Sequence, residues 1–274
     1  YFETMPADKI DLALRLEADR MKNSIFDEKE VASERTVIIS EREGLENEPT
    51  FRLSEAVQQT AFHVHPYHHE IIGDMADLRT IARDDLYDHY RTYYVPNNSI
   101  LTIAGDFQTK AMLKRIKELF EPVPMGKMPP RLIRPEPEPK GEVHLTVEGP
   151  GETTFIQVAY RFPNAAHPDY FPLQVLDSLL GGASGLSYKT SRLYRALVDK
   201  EFAVDVSSWP EATIDPFLYR IIITNHPKRK TEKTLAALDA EIQKLQDKRV
   251  SKDEITRAVK QARAVFAYGS ENIT

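Results

Sequence analysis

Apolar residues recur at helical spacing from Asp8 to Lys22, where Ile10, Leu12, Ala13, Leu14, Leu16 and Met21 line a predicted helix that follows Pro6. A second helix begins at Asp27, where Asp27-Glu28-Lys29-Glu30 has the form of a capping box, and runs through Val31, Val37 and Ile38 towards Asn47-Glu48-Pro49. The same periodicity predicts helices over Phe51 to Phe62, Arg83 to Tyr93 and Thr109 to Phe120. Tyr1-Phe2-Glu3-Thr4 and Ser99 to Gly105 have strand composition. Past the midpoint the pattern alternates between strands (142–148, 154–161, 202–208, 217–224) and helices (169–180, 191–200), then closes on two helices.

Between Met125 and Lys140 the pattern stops. Pro129, Pro130, Pro135, Pro137 and Pro139 make this a stiff, extended connection. It divides the chain into a first domain at 1–124, a linker at 125–140 and a second domain at 141–274. A constant offset of 224 then lays the last helix pair on the first without a gap: Leu14 meets Leu238, Glu17 meets Glu241, Val31 meets Ile255, and the capping pair Asp27/Glu30 meets Ser251/Glu254. The expectation is an α+β protein built as two tandem copies of one unit.

Composition narrows the functional classes. With 274 residues, 28% charged and 41% hydrophobic, and no apolar run of membrane-spanning length, the chain reads as globular with no membrane segment. It has no cysteine, so a disulfide framework, a thiolate zinc site and a thiol nucleophile are excluded, and any metal must take His, Asp or Glu. A net charge of -6, against which Lys228-Arg229-Lys230 is only a short basic run, argues against nucleic acid as a partner. The absence of an initiator methionine or cap before Tyr1, and the stop just past a helical pattern at Ser270 to Thr274, lead us to expect a piece of a longer protein.

The two copies differ in chemistry. Glu34 and Glu41 face Ala258 and Val265 under the offset, so one copy alone carries the carboxylates. Seven residues apart, they share a helical stripe two turns long. Spacing alone leaves them as solvated surface glutamates.

A longer series of motifs says more. The stretch from Leu12 to Met21, then Phe26-Asp27, Glu34-Arg35, Val37-Ile38 and Glu41, followed by His65-Pro66-Tyr67, Ile72-Gly73, Asp84-Asp85-Leu86, Tyr90, Tyr94, Pro96-Asn97-Asn98 and Gly105-Asp106-Phe107, resembles the zinc-bearing half of the pitrilysin/insulinase metallopeptidases. Gly181-Gly182 and Ser191 to Leu197 resemble that family's second repeat. The resemblance implies two repeats, each an antiparallel sheet with helices on one face. It implies that Glu41 is the third zinc ligand and Glu34 an acidic residue supporting the site, in an endopeptidase that encloses a peptide substrate between this half and a second one. The family's chemistry is zinc-activated water attacking a peptide carbonyl, with a glutamate taking the proton. Its His-x-x-Glu-His motif, which supplies two ligands and that base, is not in this chain. The fragment alone is therefore expected to be inactive and free of zinc. The alternative is a non-catalytic scaffold or substrate-presenting subunit of the same family.

Two other stretches imitate a site without the residues to make one. His63, His65, His68 and His69 crowd seven residues, but Pro66 interrupts any helix on which they could share a face. Gly181 to Thr190 imitates a phosphate loop, yet Tyr188 stands where glycine should precede Lys189. The stretch Val198 to Val204 has neither the Arg nor the Tyr with which the family's other half holds substrate.

Overall fold

The computed structural model describes residues 1–131, 134–182 and 188–271; most of the Gly/Ser loop after Gly182 and the last three residues lie outside these. The chain divides into two compact units. Among the described residues, one holds Tyr1–Leu45 and Glu70–Pro135, the other Glu46–His69 and 136–271. This cuts the chain differently from the Pro-rich boundary at 125–140, because residues 46–69 join the second unit. Among the described residues, no helix is long and apolar enough to cross a membrane.

The first unit is helical. It contains α1 (Ile10–Asn23), most of α2 (Glu28–Glu46), α4 (Met75–Thr80), α5 (Arg83–Tyr93) and α6 (Thr109–Phe120), with α3 (Phe51–Ala61) belonging to the other unit. Ala13, Leu14, Ala18, Tyr90, Val95, Met112 and Val123 are its buried apolar residues. Asp11 on α1 accepts a 2.5 Å bond from Arg115 Nε on α6, and this bond holds the Asp11 carboxyl below its ordinary range. The strands expected at Tyr1–Thr4 and 99–105 do not form, and 142–148 in the second unit is likewise unpaired. A strand needs a ladder partner as well as strand composition. These segments are left with Phe2 86% and Ile100 95% exposed.

The second unit is built on β1 (Phe155–Phe162), β2 (Ala203–Pro210) and β3 (Phe217–Asn225), which form an antiparallel sheet in the order β1-β3-β2. Central β3 is apolar on both faces, and the two faces have different covers. On one, Phe162, Leu180, Val206, Tyr219, Ile221 and Ile223 pack with Leu193, Leu197 and Leu238, the last on α8 (Thr231–Asp247). α7 (Tyr170–Leu180) and a short π-helical turn at Tyr194–Val198 complete that layer; the π-turn stands where an ordinary helix was expected over 191–200. On the other face Leu218 packs with Phe62 just past α3, a cluster that Phe217 joins at the end of the strand, and Arg220 Nη2 donates to Gln58 of α3 at 2.5 Å. The expectation of helices on one face is thus corrected: α3 covers the second. A strand buried on both sides needs such a cover, and Phe217 to Ile223 reads as a nearly continuous apolar run for that reason.

The final helices reproduce the first pair in detail. α9 (Lys252–Ser270) has the bounds of α2 shifted by the offset of 224, and α8 ends where α1 does under the same shift. Asp27 Oδ1 accepts from the N–H groups of Lys29 and Glu30 at 2.9 and 3.3 Å, and Ser251 Oγ accepts from Glu254 N at 3.3 Å. Glu17 pairs with Arg20 as Glu241 pairs with Lys244, each at 2.7 Å.

Candidate functional site

The turn that launches α2 is held from outside. Phe26 sits at φ +52°, which is uncommon for a bulky residue and persists where neighbours enforce it. Arg83 of α5 donates to Phe26 O at 2.8 Å and to Ile25 O at 2.6 Å, while the Phe26 ring rests 5.3 Å from Tyr90. Tyr90, buried, donates its hydroxyl to Arg20 O at 2.9 Å at the end of α1. Farther along α2, Arg35 donates to Ile81 O, and the buried Arg42 to Gly73 O at 3.4 Å.

Arg35 and Arg42 therefore form an inward stripe. Glu34 and Glu41, each one residue earlier, are turned by about 100° from it. Both glutamates are exposed, as is Val37 between them, and neither carboxylate has a partner among the described residues. Helix α2 is fixed by its arginines, and its glutamates are left available.

Availability is not a metal site. Among the described residues no group of three His, Asp or Glu could hold a metal ion, so the donors present do not fit zinc by themselves. The histidines do other work in the second unit. His65 Nδ1 accepts from Tyr67 N at 3.1 Å, which leaves Nε2 to donate towards Asp215 at 3.4 Å. His68 Nδ1 donates to Phe62 O at 2.6 Å, and its ring lies 4.9 Å from that of His69. Beside them Glu136 accepts from three successive backbone N–H groups: His63 at 2.9 Å, Val64 at 2.8 Å and His65 at 2.9 Å. Burial alone would raise the Glu136 carboxyl; these bonds, with Arg161 beyond them, hold it down at about 2.

Sequence reasoning missed two buried polar clusters. Asp177 on α7 is 4% exposed and accepts at one oxygen from Ser208 Oγ at 2.7 Å and from the Tyr219 hydroxyl at 2.9 Å. Burial pushes its carboxyl up to about 6 in spite of those two bonds. Arg192 donates to Glu241 at 3.3 Å and to Glu254 at 2.8 Å, tying α8 and α9 to the turn before Tyr194. The motif around Arg192 thus has a structural task in this chain.

Because the folded-state carboxyl of Asp177 is raised from 3.8 to about 6, this group binds protons more tightly folded than unfolded, and its contribution to stability grows as pH falls through that window. Asp177→Asn should remove that slope. Its stability relative to the native chain should fall by roughly 1 kcal/mol between pH 7.5 and 5. Urea melts at the two pH values read this directly, and parallel curves for the two proteins would contradict it.

Residues 80–262 match the family described as the peptidase M16 inactive domain. The match starts within the stretch read above as the first repeat. The zinc protease PqqE of Helicobacter pylori is 30% identical over 263 residues, covering 94% of this chain and 57% of that protein. The mitochondrial-processing peptidase subunit beta of Lentinula edodes is 23% identical over 245 residues, covering 86% of this chain and 52% of that one. Among solved structures, a protease from Helicobacter pylori superposes with a TM-score of 0.89 at 26% identity, over 98% of this chain and 65% of that one. The chain spans about half the length of these curated relatives. With a match that covers more than half of its residues, the chain belongs to the pitrilysin-like peptidase M16 family and carries that family's inactive domain.

Proposed function

We propose that this chain supplies one carboxylate arm of the zinc site in an M16 metalloendopeptidase: Glu41 as ligand, with Glu34 supporting it. The histidine ligands, the general base and a second, substrate-enclosing half come from residues beyond these 274. The observation that carries the reading is the pair of unengaged carboxylates on a helix whose opposite duties fall to Arg35 and Arg42. Two relatives named as zinc protease and processing peptidase support it. The shared bounds, caps and ion pairs of the α1/α2 and α8/α9 helix pairs support the tandem-repeat reading, with the second copy having lost the carboxylates. One carboxylate cannot hold zinc against water without further ligands, so no hydrolytic step is assigned to this chain alone.

The match to an inactive domain favours one competing reading, a non-catalytic scaffold subunit. Zinc analysis and peptide hydrolysis on the complete parent protein and on this chain separate the two. The peptidase reading expects zinc and cleavage in the parent and neither in the isolated chain. A parent protein without zinc and without cleavage leaves the scaffold; full activity from the isolated chain defeats both.

A further inference from the structure

We propose that the backbone of His63–Val64–His65 is a carboxylate-binding site, occupied by the chain's own Glu136, which pins the Pro-rich segment to the sheet unit and accepts a free carboxylate when Glu136 is removed. The sequence creates the site by leaving donors without partners. α3 ends at Ala61, Phe62 is extended, and Pro66, which has no N–H, opens the next turn. The three N–H groups between them, exposed at His63 and Val64 and half-buried at His65, belong to no helix or ladder and can turn together to one acceptor. They converge on two oxygens: His63 on Oε1, Val64 and His65 on Oε2. Successive backbone N–H groups arranged in this way form an anion-binding concavity.

The surroundings favour a charged occupant. Arg161 Nη2 lies 4.0 Å from Glu136 Oε1, and that guanidinium is itself held over the Phe62 ring at 4.2 Å and bonded to Ala61 O at 2.5 Å. The loop is braced from its other side by the His65–Tyr67 and His65–Asp215 contacts, so its shape does not rest on Glu136 alone. Pro135 and Pro137 flank the glutamate, stiffen the strap and bring no N–H of their own to compete. A glutamine at 136 would turn an amide N–H towards one of the three donors.

The test is chemical rescue in the full 274-residue chain. Glu136→Ala should lower the melting temperature by roughly 5 °C, and Glu136→Gln by less. Acetate, titrated against chloride at constant ionic strength, should restore part of the loss saturably in Glu136→Ala and leave the native chain unmoved. It should also shift the amide resonances of His63, Val64 and His65 in that variant. Glu138→Ala, two residues along the same strap, is the control and should change neither. If Glu136→Ala melts like the native chain, or if acetate acts on all three proteins alike, the site is not what we propose. Should Glu136→Ala not fold in chloride, its refolding in acetate against chloride at the same ionic strength decides: no recovery in acetate overturns the assignment.

Discussion

On the proposed peptidase reading, replacing Glu41 with glutamine in the full-length protein is expected to remove most of its zinc and to lower peptide hydrolysis by more than about a hundredfold, while leaving stability within roughly 0.5 kcal/mol of the native protein. The two halves of that expectation have separate causes. Glu41 is exposed and makes no hydrogen bond or ion pair among the described residues, so its loss costs little stability, and α2 remains held by Arg35, Arg42 and the braced turn at Phe26. Glutamine keeps the shape but not the charge, and a neutral amide oxygen is a poor zinc ligand beside a carboxylate. Glu34→Gln should act in the same direction but more weakly, roughly ten- to a hundredfold in affinity or activity, as is usual for a residue that supports a ligand. Glu30→Gln, on the same helix next to its cap, should leave zinc and turnover unchanged. A Glu41→Gln protein with full zinc and full turnover would remove Glu41 from the site.

Much of the helical fold was legible because helix signals are local. Arg83–Tyr93 and Thr109–Phe120 match the periodicity at both ends, and the Asp27 and Ser251 caps stand where the sequence placed them. Strands were less legible because pairing is non-local: Ser99 to Gly105 has β-rich composition but no ladder partner, whereas 154–161 found β3. The cover of α3 on the second face of the sheet was present in the apolar run of β3, which is too long for a half-solvated strand. Asp177 could have been found. In α7 it follows Leu173 and Leu176 and precedes Leu180, which is the spacing of a buried stripe, and a carboxylate there demands hydrogen-bond partners. The Glu136 site offered no such signal, since its donors are backbone N–H groups distant in sequence. The carboxylates of the proposed zinc site came from resemblance; geometry added that they are exposed, unengaged and fixed in direction.

Gly181→Ala is expected to destabilise the protein by roughly 3 to 5 kcal/mol, the sum of an overpacking cost and a disrupted buried hydrogen-bond cluster. Gly181 has φ -94°, so its backbone would accept alanine; space is the constraint. A β-carbon there would lie 1.8 Å from Ser208 Oγ and 2.9 Å from Ser208 Cβ. Ser208 cannot rotate away cheaply, because its hydroxyl donates to Asp177 at 2.7 Å and accepts from Tyr219 at 2.9 Å. Moving it strips one of two hydroxyl donors from the buried Asp177 carboxylate and leaves it with Tyr219. Ser208→Gly removes both clashing atoms at the cost of the two bonds of that hydroxyl. The double variant Gly181→Ala/Ser208→Gly should therefore be more stable than the two single changes predict together, by at least about 1 kcal/mol. Additive losses would mean that the strain of Gly181→Ala is relieved elsewhere and that Ser208 is not what confines this position to glycine.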